Sequence, residues 1–98
     1  MEIEFQDESL DLLETDAEFT AGYAKEIVKA YRKRIQAIRA ANDERDLYAV
    51  KGNRFEKLKG DRSHQHSLRL NDQWRLIVEI KPSKPKNIII VIAVEDYH

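Results

Sequence analysis

Three features predict an α+β domain, with two N-terminal helices packed on one face of a small, mostly antiparallel β-sheet. Residues 21–41 place Ala24, Ile27, Val28, Tyr31, Ile35 and Ile38 at spacings of three and four, the period of an amphipathic helix. Residues 55–80 alternate with a period of two: Leu68, Leu70, Leu76, Val78 and Ile80 share one parity, and Arg69, Asn71, Arg75 and Ile77 the other. Residues 88–94 form an almost unbroken β-branched run, as expected of a strand inside a sheet. Helices followed by a run of strands leave one sheet face for the helices and the other for Arg69 and Arg75.

Taken in order, Ile3 and Phe5 alternate with Glu2 and Glu4 as a short half-buried strand. Residues 7–14 read as a short helix with Leu10 and Leu13 inward and acids at its N-terminal end, where the helix dipole favours them. Asp16 or Thr20 is the expected cap of the long helix, whose outer face carries Lys25, Lys29, Arg32, Lys33, Gln36 and Arg39. Asn42-Asp43 ends that helix, and residues 46–50 add one further turn. Lys51-Gly52-Asn53 leads into the strands, and Lys59-Gly60-Asp61-Arg62 makes a turn within them. Asn71-Asp72 has the chemistry of a hairpin turn, so the strands on either side of it pair antiparallel. Residues 81–87 contain both prolines and three lysines and form a loop.

The whole of 1–98 reads as one domain, with 42% hydrophobic residues to fill a core and 36% charged residues to keep it soluble. The chain has no cysteine, which rules out disulfides and thiolate metal sites and suits a reducing compartment. No apolar run approaches a membrane span and the acidic N-terminus lacks the basic start of a signal peptide, so a cytoplasmic protein with no membrane partner is expected. The net charge of −1 conceals an asymmetry. Residues 1–20 carry eight acids and no Lys or Arg, whereas residues 51–75 carry seven cations and three acids. That pattern argues for one anion-binding face, with the acidic segment lying away from it.

No phosphate-cradling glycine loop, nucleophile elbow or metal-ligand cluster is present, and no cofactor is implied. His64 and His66 are spaced to share one strand face, but no metal site is assigned to them. His98, after Asp96 and Tyr97 at the end of an apolar strand, is placed for acid–base work. Metal-free RNA cleavage needs a base for the ribose 2′-OH, an acid for the leaving 5′ oxygen, and cations for the charge growing on phosphorus. Lys59, Arg62, Arg69, Arg75, Tyr97 and His98 suffice for this if they converge on one sheet face.

These residues also carry a family resemblance. Leu58-Lys59-Gly60-Asp61-Arg62, then Ser67-Leu68-Arg69-Leu70-Asn71-Asp72-Gln73-Trp74-Arg75-Leu76, then Glu95-Asp96-Tyr97-His98, resemble the HigB-type (plasmid-maintenance killer) toxins of the RelE/ParE superfamily. The resemblance extends over the basic helix and implies a RelE-like fold. It also implies a toxin of a type II toxin-antitoxin system, a ribosome-dependent mRNA endonuclease that blocks translation. Its implied partners are the ribosome, mRNA and a cognate helix-turn-helix, HigA-like antitoxin, with operator DNA reached only through the antitoxin complex. By position, Lys59 and Arg75 match phosphate-contacting catalytic residues, and Asp96, Tyr97 and His98 match the catalytic C-terminal tail. Arg62 and Arg69 match RNA- or ribosome-binding positions, and Lys57 and Arg54 of the same basic stretch complete that expected set.

Three positions depart from the family pattern. His64 and His66 stand where a glycine and an aromatic residue are common, and Glu56 stands where some members have a catalytic histidine. Glu56 is either a base or an exposed strand residue that repels phosphate. Trp74 is expected in the packing rather than as a base-stacking platform. Two other function classes compete: a non-catalytic, gyrase-inhibiting toxin of the ParE branch, and a toxin-like binding module acting only with its antitoxin. The terminal Asp-Tyr-His favours the nuclease, because a binding-only toxin needs no titratable group there.

Overall fold

The apolar stripes dictate how the layers stack. In the computed structural model, which describes residues 1–96, the chain runs β1 (Ile3–Phe5), α1 (Glu8–Thr15), α2 (Lys25–Ala40), α3 (Glu44–Ala49), β2 (Glu56–Lys57), β3 (Gln65–Arg69), β4 (Trp74–Lys81) and β5 (Ile88–Asp96). Single 3-10 turns at Lys51–Asn53 and Gly60–Arg62 flank β2. The sheet order is β1-β5-β4-β3-β2, with β1 parallel to β5 and every other pair antiparallel. The α+β arrangement expected from the sequence, with helices on one face of a mostly antiparallel sheet, is therefore present.

The α2 stripe of Ile27, Val28, Tyr31, Ile35 and Ile38 joins Leu10 and Leu13 of α1 and Leu68, Leu76, Val78, Ile89 and Val91 of the sheet in one buried cluster. Burial of such side chains contributes roughly 1.5–3 kcal/mol each, so this layer holds the fold together. Tyr31 is fully buried, and its hydroxyl donates to the Leu10 carbonyl at 2.7 Å, tying α2 to α1. Arg32 reinforces the same junction from the rim, with Nε on Leu13 O and Nη2 on Asp16 O, both at 3.0 Å. Arg39 forks onto Glu14 at 2.7 and 2.8 Å. Two cations of the outer helix face thus bind the acidic N-terminal segment.

Helix boundaries differ from expectation. α2 starts at Lys25, because Ala21 (φ 52°) and Gly22 (φ 82°) hold left-handed backbone that no right-handed helix can include. Neither Asp16 nor Thr20 caps it. Their oxygens accept from Glu18 N at 2.9 Å and Gly22 N at 3.3 Å, and the cap position is Ala24, which offers no side-chain bond. A third helix, α3, replaces the single turn expected at 46–50. Asp43 starts it by accepting from Arg45 N at 2.9 Å, and Leu47 anchors it in the core.

The β4–β5 register slips between Ile77↔Ala93 and Val78↔Val91, leaving Ile92 as an extra residue in β5. Such a bulge reverses the alternation beyond it. Val94 therefore rejoins the core opposite Leu76, and Glu95 turns to the helix-free face opposite Arg75.

Burial, together with the negative charges of Glu14, Asp11 and Asp7, pushes the Tyr31 hydroxyl well above its ordinary value. The folded state therefore keeps its proton where the unfolded chain loses it. Stability is complete below an unfolded tyrosine pKa of about 10 and falls as pH rises above it. Tyr31→Phe should unfold at lower urea concentration, by about 1–2 kcal/mol at neutral pH. It should also show a shallower alkaline loss than the parent; an equally steep loss would contradict this account of Tyr31.

Candidate nucleic-acid interface

The helix-free face of the sheet is built around the β3–β4 hairpin. Asn71 Oδ1 accepts from Gln73 N and Trp74 N, each at 2.8 Å, and Leu70 N donates to Trp74 O at 2.9 Å, closing the turn. This is the Asx-type closure expected of Asn71-Asp72. It sets Arg69 directly across from Arg75. Two guanidiniums opposite each other repel, and each is met by an acceptor from the turn. Arg69 Nη2 contacts the Asp72 carboxylate, and Arg75 Nη1 donates to Asn71 O at 2.8 Å. From the helix layer, Arg34 grips the same strand end, with Nε on Arg69 O at 2.8 Å and Nη2 on Gly52 O at 2.9 Å. Burial and the charge of Arg69 lower the Arg34 pKa.

Beside the arginine pair lies a pocket of about 180 Å³ lined by Leu58, Arg62, Ser67, Arg75, Ile77, Glu95 and Asp96. Ser67 and Ile77, a buried cross-strand pair on this face, belong to its lining. Arg62 enters from the Gly60–Arg62 turn, where Gly60 (φ 65°) supplies a left-handed conformation. Its Nε donates to Gln65 Oε1 and its Nη2 to Glu95 Oε2, both at 2.9 Å. Asp96 closes β5 opposite Trp74, and its Oδ2 accepts from Gln73 Nε2 at 3.1 Å.

Of the residues expected to form the site, Arg62, Arg75 and Asp96 meet in this pocket, and Arg69 adjoins it across the ladder. Lys59 is exposed at the start of the 60–62 turn and does not line the pocket. Lys57 pairs with His66, and that register puts both on the helix side of the sheet rather than on the arginine face. Arg54 is exposed just before β2, in left-handed backbone with φ 43°. Tyr97 and His98 lie outside the described residues. Glu56, exposed on the edge strand, pairs with Ser67 and so shares the arginine face.

His64 and His66 do not share a face. His66 is in register with Val78 on the helix side, stacked on Phe55 at 4.8 Å and 14°, and its pKa is lowered by burial and by Lys57. His64 precedes β3, with Nε2 3.9 Å from Glu79 Oε2. No group of three or more His, Cys, Asp or Glu side chains among the described residues is placed to hold a metal. Trp74 packs edge-on against Tyr23 at 5.6 Å, within the core layer, as expected. Sequence reasoning missed Glu95, Ser67, Leu58 and Ile77 as pocket residues. Ser67 and Ile77 were recoverable from strand parity, whereas Glu95 depends on the bulge.

A solved "YoeB/ParE toxin from Agrobacterium tumefaciens" superimposes with a TM-score of 0.60 over 100% of both chains at 19% identity, a likeness of fold. In sequence, the chain is 34% identical over 79 residues to Toxin HigB-1 of Vibrio cholerae serotype O1, covering 81% of this chain and 83% of that protein. The family described as "RelE-like toxin of type II toxin-antitoxin system HigB" matches residues 3–98. The chain belongs to the HigB-like toxin family, and a toxin of this kind has a cognate antitoxin.

The turn geometry makes one residue testable apart from any activity. Asn71→Ala should lower stability by about 1–2 kcal/mol in urea unfolding, because the Gln73 and Trp74 amides lose the Oδ1 acceptor they share. Asn71→Asp should retain most of it, and equal losses in both variants would show that the Asn71 side chain does not hold the turn.

Proposed function

We propose that this toxin cleaves mRNA on translating ribosomes, using the arginine face as its phosphodiester site. The observation that carries the reading is the cross-strand Arg69–Arg75 pair beside a pocket that also holds Arg62 and Asp96. Guanidiniums hold phosphate oxygens bidentately, and several together match the charge of a phosphodiester backbone. In the reaction proposed, the ribose 2′ oxygen attacks phosphorus and the bond to the 5′ oxygen breaks. The 2′ proton passes to a base, a proton is delivered to the 5′ oxygen, and a cyclic phosphate and a 5′-hydroxyl remain.

Arg75, with Lys59 brought in from its exposed turn, would stabilise the charge growing on phosphorus. Asp96, Tyr97 and His98 would serve proton transfer without a metal ion. Arg62 and Arg69 would hold the RNA or ribosome in the ground state, Arg54 would contribute from the chain before β2, and Lys57 would meet the ribosome from the helix side of the edge strand. The reading further supposes a single toxin unit over 1–98, a cytoplasmic site of action, and silencing by a HigA-like helix-turn-helix antitoxin through which operator DNA is reached. No helix among the described residues is long and apolar enough to cross a membrane.

Primer extension on an mRNA in a translating extract tests the reading directly. Discrete stops should appear with the protein and disappear when Tyr97 and His98 are deleted. Arg75→Ala should reduce single-turnover cleavage by about 100-fold or more while leaving ribosome binding nearly intact. Arg69→Ala and Arg62→Ala should weaken binding and flatten its salt dependence. Absence of stops, with growth arrest accompanied by inhibited gyrase, would replace this reading with the ParE-type one.

A further inference from the structure

A carboxylate at the wall of a phosphate pocket opposes its ligand, and Glu95 is such a group. The β5 bulge turns it onto the arginine face opposite Arg75, and its Oε2 takes the Arg62 Nη2 donor at 2.9 Å. Arg62 is held a second time, by Gln65 Oε1 on Nε, so its guanidinium stays at the pocket whether or not Glu95 remains bound. The donor facing Glu95 is the part of Arg62 that a phosphate oxygen would otherwise take.

We propose that Glu95 is an intramolecular stand-in for substrate phosphate: its carboxylate occupies Arg62 in the free protein and gives way when RNA binds, lowering the affinity of the site. The proposal rests on the reading of this pocket as a phosphodiester site. An anion in the place of an anion makes binding an exchange rather than an addition. The exchange is easy, because the two side chains are 45% and 39% exposed and their attraction is screened by water. Exposed pairs of this kind correspond to about a 2- to 5-fold change in an equilibrium constant, small enough for a phosphodiester to displace. The same carboxylate also repels an approaching phosphate, which adds to the effect.

The test measures anisotropy of a labelled single-stranded RNA carrying 2′-O-methyl groups throughout, which lacks the attacking hydroxyl. Glu95→Gln and Glu95→Ala should each bind about 2- to 10-fold more tightly than the parent. Their plots of log affinity against log salt should steepen by about 0.7, one added phosphate contact on a single strand. In an Arg62→Ala background the gain should vanish. Weaker binding by Glu95→Gln would make Glu95 a positioning residue for Arg62 and overturn the proposal. So would equal affinities, binding by neither protein, or a gain that persists without Arg62. A cleavage loss of about 100-fold at unchanged affinity would make Glu95 a catalytic group and overturn it as well. If no variant cuts mRNA in a translating extract yet the affinity gain appears, the nuclease reading fails and this one stands.

Discussion

Two guanidiniums facing each other across an antiparallel ladder are the constraint around which the helix-free face is arranged. Arg69 and Arg75 are opposite by register, and register is fixed because the alternate residues Leu68, Leu70 and Leu76 are buried in the core. A slip of one residue would move the leucines out and the arginines in. The repulsion is met locally by Asp72 and Asn71 O, and Arg34 anchors the strand end from behind. A phosphodiester laid across the pair would bring further negative charge to it.

The two faces of the sheet thus divide the work. One face is closed by α2 and carries the hydrophobic stabilisation, with Tyr31 and Arg32 tying α1 to it. The other is free to hold charge. The acids of residues 1–20 stay away from the arginine pair: Glu14 binds Arg39 in the helix layer, and Glu4, though on the open face, sits on β1 at the sheet edge opposite β2, bound to Lys81. The charge asymmetry of the sequence becomes a spatial one, with the acidic segment in the helix layer and at one edge and the basic hairpin on the open face.

Much of this was legible in the residues because it rests on periodicity. The α2 stripe, the alternation of 65–80, the Asn71 turn and the interior position of β5 all follow from spacing and turn chemistry. What escaped depended on single backbone conformations or long-range register. The left-handed Ala21 and Gly22 delay α2, and Asp43, taken for the end of one helix, is the cap of the next. The extra Ile92 inverts parity, so unbroken alternation would have hidden Glu95 in the core layer and not shown it beside Arg62. His66 keeps the parity of Leu68 and lies on the helix side, where stacking on Phe55 suits a neutral ring, whereas His64, just before β3, does not share that face. Lys57, expected among the RNA-binding cations, joins His66 on the helix side through their pairing.

The central claim is that RNA meets the open sheet face and not the basic helix. Backbone and arginine side-chain NMR signals followed during titration with a 2′-O-methyl RNA oligonucleotide test this most directly. The account predicts that the largest shifts fall at Arg62, Ser67, Arg69, Asn71, Arg75, Ala93 and Glu95. Shifts confined to the outer face of α2, at Lys29 and Lys33, with the hairpin unmoved, would contradict it.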